Sequence, residues 1–193
     1  MSILSQKKYT EIKFDTKIFH KLVKLKIFKE DDRIELIEGR IYKMVPIGLK
    51  HMAVVNKITY FFSKFSGKDF IISIQNPLKV DEYNELYPDI TIFRYREDFY
   101  INTYPEADKD VLLIIEVADT SLDYDREKKI PLYAKAKVPE VWIINLLEDI
   151  IEIYQQPDEE RKEYTLVQKR KKGEISPLRL KDIKFKIEEI FIK

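Results

Sequence analysis

The stretch that most constrains this chain is VLLIIEV, Val111 to Val117. It is far shorter than the ~18 apolar residues a membrane-spanning helix needs. Apolar side chains on both faces suit a strand buried in the middle of a sheet. Glu116 interrupts the run near its end. A carboxylate buried without a partner costs several kcal/mol, so such a group is ion-paired, protonated or metal-bound. Strand alternation puts Leu112, Ile114, Glu116 and Ala118 on one face.

The rest of the chain reads as elements that would enclose such a strand. Thr16 to Phe28 has helical apolar spacing with Asp15 as N-cap. Ile34 to Val45 is a hairpin turning at Gly39. Leu49 to Phe65 is a helix stopped by Gly67, and Phe70 to Val80 is strand-like, with Pro77 marking a bend or an edge. Asp89 to Phe93 is a short strand, Arg94 to Asp110 a loop, Asp125 to Val138 a helix and Val141 to Leu146 a second buried strand. Ile150 to Gln155 and Tyr164 to Gln168 form a late antiparallel pair, and Leu178 to Lys193 a strand with a short end helix. The sum is mixed α/β, one sheet with helices against it. With 193 residues, 45% of them hydrophobic, and no repeat or linker, a single domain over residues 1–193 is expected.

The absence of cysteine excludes disulfides, zinc–thiolate sites and thiol catalysis, and favours a cytoplasmic location. MSILSQKKYTEIKF lacks the apolar region of a secretory signal. A net charge of +1 does not by itself announce a nucleic-acid binder. The marked basic patch, Lys169 to Lys172 (KRKK), reads as a solvated turn.

Chemistry gathers around three residues. Asp89 follows Pro88, whose fixed backbone can seat the next side chain at the start of a strand. Glu116 lies near the end of the buried strand. On the following helix Asp125, Lys129 and Tyr133 fall at i, i+4 and i+8, so Lys129 can point back at that strand end. Pro131 either kinks this helix or marks its first turn, and both geometries leave Lys129 near Glu116. Two carboxylates and a lysine around one cleft suit phosphodiester hydrolysis, because hard oxygen ligands select Mg²⁺ or Mn²⁺. Glu35 is a further candidate, with a surface salt bridge as its plain alternative. His51, on the edge of its helix's apolar face, is explained by half-buried packing or a hydrogen bond, and Gln75 and Asn76 are placed to line the cleft, with turn chemistry an equal explanation of Asn76.

The ordered series ELIEGRIYKM, KH opening a helix, QNPLKV, YPDITIF, IIEVADTS, YDREKKIPLYAKAKVPEVWIIN and IEIY resembles the Uma family of putative restriction endonucleases, over about residues 31–154. That resemblance implies a PD-(D/E)XK nuclease fold, a central mixed sheet flanked by helices. It makes Asp89 and Glu116 the acidic pair, with the backbone carbonyl of Val117 as a further metal ligand. The usual lysine would fall at position 118, which here is Ala118. Lys129 looks like a migrated catalytic lysine, with neighbouring Lys128 as the competing choice. Glu35 and His51 match the family's early glutamate and helix histidine, and Tyr133 a tyrosine without an assigned role. The implied activity is Mg²⁺- or Mn²⁺-dependent cleavage of nucleic acid, DNA first, and nucleases of this type often work as homodimers. The competing readings are a nuclease-fold module that binds nucleic acid or a protein without cutting, and a scaffold holding a buried ion-pair network.

Overall fold

The computed structural model describes residues 10–29, 31–65, 67 and 69–191. Helix α1 (Thr16–Lys24) opens on Asp15, whose carboxylate accepts from the Ile18 amide at 2.7 Å. Strands β1 (Ile34–Ile37) and β2 (Arg40–Lys43) form the expected hairpin. Its turn is Glu38–Gly39, with φ values of 51° and 78°, the left-handed pair a tight hairpin needs. A Cβ on Gly39 would sit 2.6 Å from the Cβ of Lys13, so glycine also permits a close approach there.

Helix α2 (Leu49–Ser63) follows. The segment expected as one strand over Phe70–Val80 is two, β3 (Phe70–Ile74) and β4 (Leu78–Asp81), which belong to different sheets. Gln75 at φ 50° and Pro77 break it. Then come β5 (Asn84–Leu86), β6 (Ile90–Arg94) and β7 (Val111–Ala118), every residue of β7 being buried. The connection after β7 runs through α3 (Leu122–Tyr124), a π-helical turn (Asp125–Lys129) and α4 (Ile130–Lys135). It delivers the chain to β8 (Glu140–Asn145), parallel to β7. Strands β9 (Ile150–Asp158) and β10 (Glu163–Arg170) extend the sheet antiparallel. The tail holds two short strands, β11 (Glu174–Ile175) and β12 (Phe185–Lys186), and a 3₁₀ turn, Ile187–Glu189, where a strand and end helix were expected.

The main sheet runs β10-β9-β8-β7-β6-β3, with a smaller sheet β2-β1-β5-β4 beside it. On one face of the main sheet, Val54, Val55, Ile58 and Phe62 of α2 pack with Ile90, Ile92, Leu113, Ile115 and Val117. On the other, Ile130, Leu132, Tyr133 and Ala134 of the crossover pack with Ile114, Ala118, Val141 and Ile143. The fold is therefore mixed α/β, a central mixed sheet flanked by helices. Each fully buried aliphatic side chain contributes about 1.5–3 kcal/mol to holding these layers together. One expected detail differs. Leu112 packs with the α2 side rather than with Ile114, because the register of β6 against β7 shifts between Ile92 and Phe93. A bulge of that kind breaks strict alternation. Among the described residues no helix is long and apolar enough to cross a membrane.

Candidate active site

The site lies where β6 begins and β7 ends. Asp89 directly precedes β6 and accepts the Val117 amide of β7 at 2.9 Å on Oδ2. Nε2 of His51, in the first turn of α2, lies 3.0 Å from the same oxygen, and Gln75 Nε2 donates to Oδ1 at 3.2 Å. The Asp89 amide donates to Glu116 Oε2 at 3.3 Å, which ties the two acidic residues together. Burial pushes the Asp89 pKa up, but His51 and nearby Lys129 more than reverse that and hold it below the usual carboxylate range.

Glu116 Oε1 accepts from Tyr133 Oη at 2.6 Å and from Lys129 Nζ at 3.2 Å. The lysine is also 3.1 Å from Glu35 Oε1 and 3.7 Å from Asp125 Oδ1. Glu35 in turn accepts the Tyr87 amide at 2.8 Å and Tyr124 Oη at 3.3 Å, and Asp125 accepts Ser121 Oγ at 2.8 Å. Glu35, Asp89, Glu116, Asp125 and Lys129 are all buried. Burial drives the Glu116 pKa to about 8 and that of Asp125 to about 6, against the pull of Lys129. Burial alone would lower the lysine's own pKa, yet Glu116, Glu35 and Asp125 raise it well above normal, so its ammonium stays charged.

The structure thus brings Asp89, Glu116, Lys129, Glu35, Tyr133, His51 and Gln75 into one network. Lys128 is exposed and stands outside it. Val117, expected to offer its backbone carbonyl to a metal, donates its amide to Asp89, which places its backbone beside the acidic pair. Glu35 sits behind Lys129 instead of on the surface, so the plain salt-bridge alternative gives way to a buried one. Sequence reasoning put Asp125 on the face of Lys129 without giving it a part, and it missed Tyr124. An α-helical wheel separates residue 124 from residue 129, whereas the π turn brings both toward Glu35.

A cleft of about 360 Å³ opens onto this network, its walls including His51, Asp89, Glu116, Asp119, Asp125 and Lys129. Val45, Pro46 and Ile47, from the connection between β2 and α2, form an apolar wall. Nδ1 of His51 is buried without a hydrogen-bond partner among the described residues. The donor chemistry fits a hard divalent cation. Asp89 and Glu116 present carboxylate oxygens, and the cluster carries more carboxylates than Lys129 can neutralise. Among the described residues no three histidine, aspartate or glutamate side chains form a ready-made cation cage.

A family model described as Uma2, putative restriction endonuclease, matches residues 19–186. Among solved structures, this chain is similar to a crystal structure from Anabaena variabilis titled a putative nuclease belonging to DUF820. The two share 16% identity with a TM-score of 0.69, over 86% of this chain and 94% of that one, a likeness that concerns the fold. Comparison with curated proteins found no match.

Proposed function

The chain belongs to the Uma2 family, described as putative restriction endonucleases, and from that premise we propose that it is a divalent-metal-dependent nuclease hydrolysing phosphodiester bonds of DNA. The observation that carries this reading is the excess of buried carboxylates, Glu35, Asp89, Glu116 and Asp125, around the single ammonium of Lys129 at the floor of an open cleft. Buried like charges repel, and a bound cation relieves that repulsion.

Asp89 and Glu116 would hold Mg²⁺ or Mn²⁺, since both carboxylates line the cleft and are joined through the Asp89 amide. When bound, such an ion polarises the phosphate and lowers the pKa of water beside it. His51 and Gln75 orient Asp89 from two sides. Tyr133 orients Glu116 by donating to it. Lys129 stays protonated, so its part is to donate to a phosphate oxygen or a water and to offset negative charge building on the phosphate, not to take up a proton. Glu35 and Asp125 position that lysine and touch no substrate atom directly in this reading.

The test is calorimetric titration with Mg²⁺ and Mn²⁺, followed by plasmid cleavage, in the parent protein and in Glu116→Ala. Metal uptake and nicking by the parent, with both lost in the variant, are expected. No heat of binding in the parent would reject the metal site, and equal cleavage by both proteins would reject Glu116 as part of it. A second reading, a nuclease-fold module that binds without cutting, is favoured by one feature: Asp89 and Glu116 are both engaged by internal hydrogen bonds. Metal binding without cleavage would support that alternative. A homodimer that cuts two strands is a further part of the proposal, checked by sedimentation with and without DNA.

A further inference from the structure

With a net charge of +1, any grip on a polyanion has to be local. A groove of about 620 Å³ runs along the chain that leaves α1, and its walls include Lys24, Lys26, Phe28, Lys29, Arg33 and Tyr87. Arg33 and Met44 line both this groove and the acidic cleft, so they stand where the two adjoin. Gln75 also lines the groove, and its side-chain amide reaches Asp89. Asp32, a carboxylate in the groove wall, is already engaged by Lys43 at 2.5 Å and by the Lys29 amide at 3.0 Å.

Arg33 is the informative residue. Its backbone carbonyl is fixed by the Met44 amide at 2.8 Å, just before the hairpin. Its half-buried side chain makes no hydrogen bond or ion pair among the described residues. A guanidinium offers paired donors that match phosphate oxygens. It stands where the basic groove meets the acidic cleft.

We propose that this groove holds the substrate strand on one side of the reacting phosphate, with Arg33 seating the phosphate at the junction of groove and acidic cleft. The assignment of a reacting phosphate rests on the nuclease reading, but strand binding in the groove does not. Exposed Lys24 and Lys29 sit along the backbone's path, and half-buried Phe28 and Tyr87 offer ring faces to bases. Cations tracking a backbone beside aromatic platforms form the pattern used to grip single strands. The KRKK stretch, expected as a solvated turn, instead has Lys169 and Arg170 at the end of β10 with Lys171 and Lys172 following, and it takes no part in the proposal.

The test separates binding from chemistry. Fluorescein-labelled deoxy- and ribo-oligonucleotides, single-stranded and duplex, are titrated with the full-length protein in EDTA across a salt series, followed by anisotropy. Arg33→Ala and Lys24→Ala/Lys29→Ala are compared with Lys171→Ala/Lys172→Ala, and circular dichroism checks that each is folded. Each lost phosphate contact should weaken binding about equally for all sequences and lower the salt slope by about 1. The Arg33 variant should therefore lose about one unit of slope and the double groove variant about two, with the KRKK variant unchanged. The preferred strand among the four probes identifies the substrate class. Unchanged binding in the groove variants, an equal loss in the KRKK variant, or no binding by the parent at low salt would each overturn the proposal. If the groove variants weaken binding while the parent cuts nothing with Mg²⁺ or Mn²⁺, the groove stands and the nuclease reading falls.

Discussion

With its ammonium 3.1 Å from Glu35 and 3.2 Å from Glu116, Lys129 is the charge that lets so many carboxylates be buried together. Replacing it by methionine keeps the volume and removes the charge. Leaving buried carboxylates without their cation costs about 3–5 kcal/mol. Urea denaturation of Lys129→Met near neutral pH should show a loss of that size together with lost cleavage, whereas a change below about 1 kcal/mol would mean the ammonium contributes no more than a surface charge. Glu35→Gln should lower kcat and leave KM for DNA nearly unchanged, because Glu35 reaches the cleft only through Lys129. A rise in KM with kcat kept would instead place Glu35 against the substrate. Lys129 was legible in the sequence because helical spacing aimed it at the end of the strand carrying Glu116, and the family resemblance, which expects a lysine at position 118 where alanine stands, pointed to the same residue. The His51–Asp89 contact was not legible, since it joins residues 38 apart through the docking of α2.

At the scale of elements, the crossover after β7 explains how Lys129 is aimed. A regular α-helix would drive the Pro131 ring into the carbonyl four residues earlier and would lack the Pro131 N–H. The chain answers with a π turn just before it, in which the Ile130 amide donates to the Asp125 carbonyl. The same turn docks on the sheet through a second ion pair. Arg126 grips Glu152 while Lys129 grips Glu116. Glu116, Ile143 and Glu152 form one row across β7, β8 and β9, so two cations three residues apart meet two acids two strands apart. Glu152 is fully buried, unlike the exposed Lys137–Glu159 pair. Arg126→Ala should therefore cost about 3–5 kcal/mol, and Lys137→Ala less than about 1 kcal/mol. Equal costs would show that burial does not set the value of these pairs.

The pH dependence of that ion pair also has a sign. Burial raises the Glu152 pKa, but Arg126 and Tyr154 more than offset this, so it lies below its ordinary value. Its contribution to stability is then present above the unfolded pKa of about 4.3 and is lost as pH falls through the lower folded value. In Arg126→Ala the buried acid loses its main counter-charge, its folded pKa rises, and stability should improve as pH falls toward the unfolded value. Denaturation midpoints across an acidic pH series check this, and parallel curves for parent and variant would count against it.

At the scale of the whole molecule, the outer face of the α2 layer is closed by the tail. Phe185 meets Phe61 edge to face with centroids 4.0 Å apart and lies beside Phe62, and Ile175, Ile183, Ile187 and Ile190 complete the core there. Phe185→Ala should cost about 3–5 kcal/mol by chemical denaturation, and a cost under about 1 kcal/mol would show that the tail is not part of the cooperative fold. Metal should also act globally. Mg²⁺ or Mn²⁺ at a hundredfold excess over its Kd stabilises the folded state by about 2.7 kcal/mol, seen as a raised melting temperature. Glu116→Ala should show no such rise, and a rise of equal size there would move the metal elsewhere.

The pairing of Asp89 with Glu116 was legible only through the ordered family series, whereas the sequence by itself determined the class of fold, the buried β7, the α1 cap and the Glu38–Gly39 turn. These are local: period, capping, turn chemistry and one charge in an apolar run act over a few residues. Tertiary structure alone decided that β3 and β4 part into two sheets, that Glu35 and Asp125 close around Lys129, and that Arg33 joins a basic groove to an acidic cleft. Those depend on distances between segments far apart in the chain, which are set by how whole layers pack.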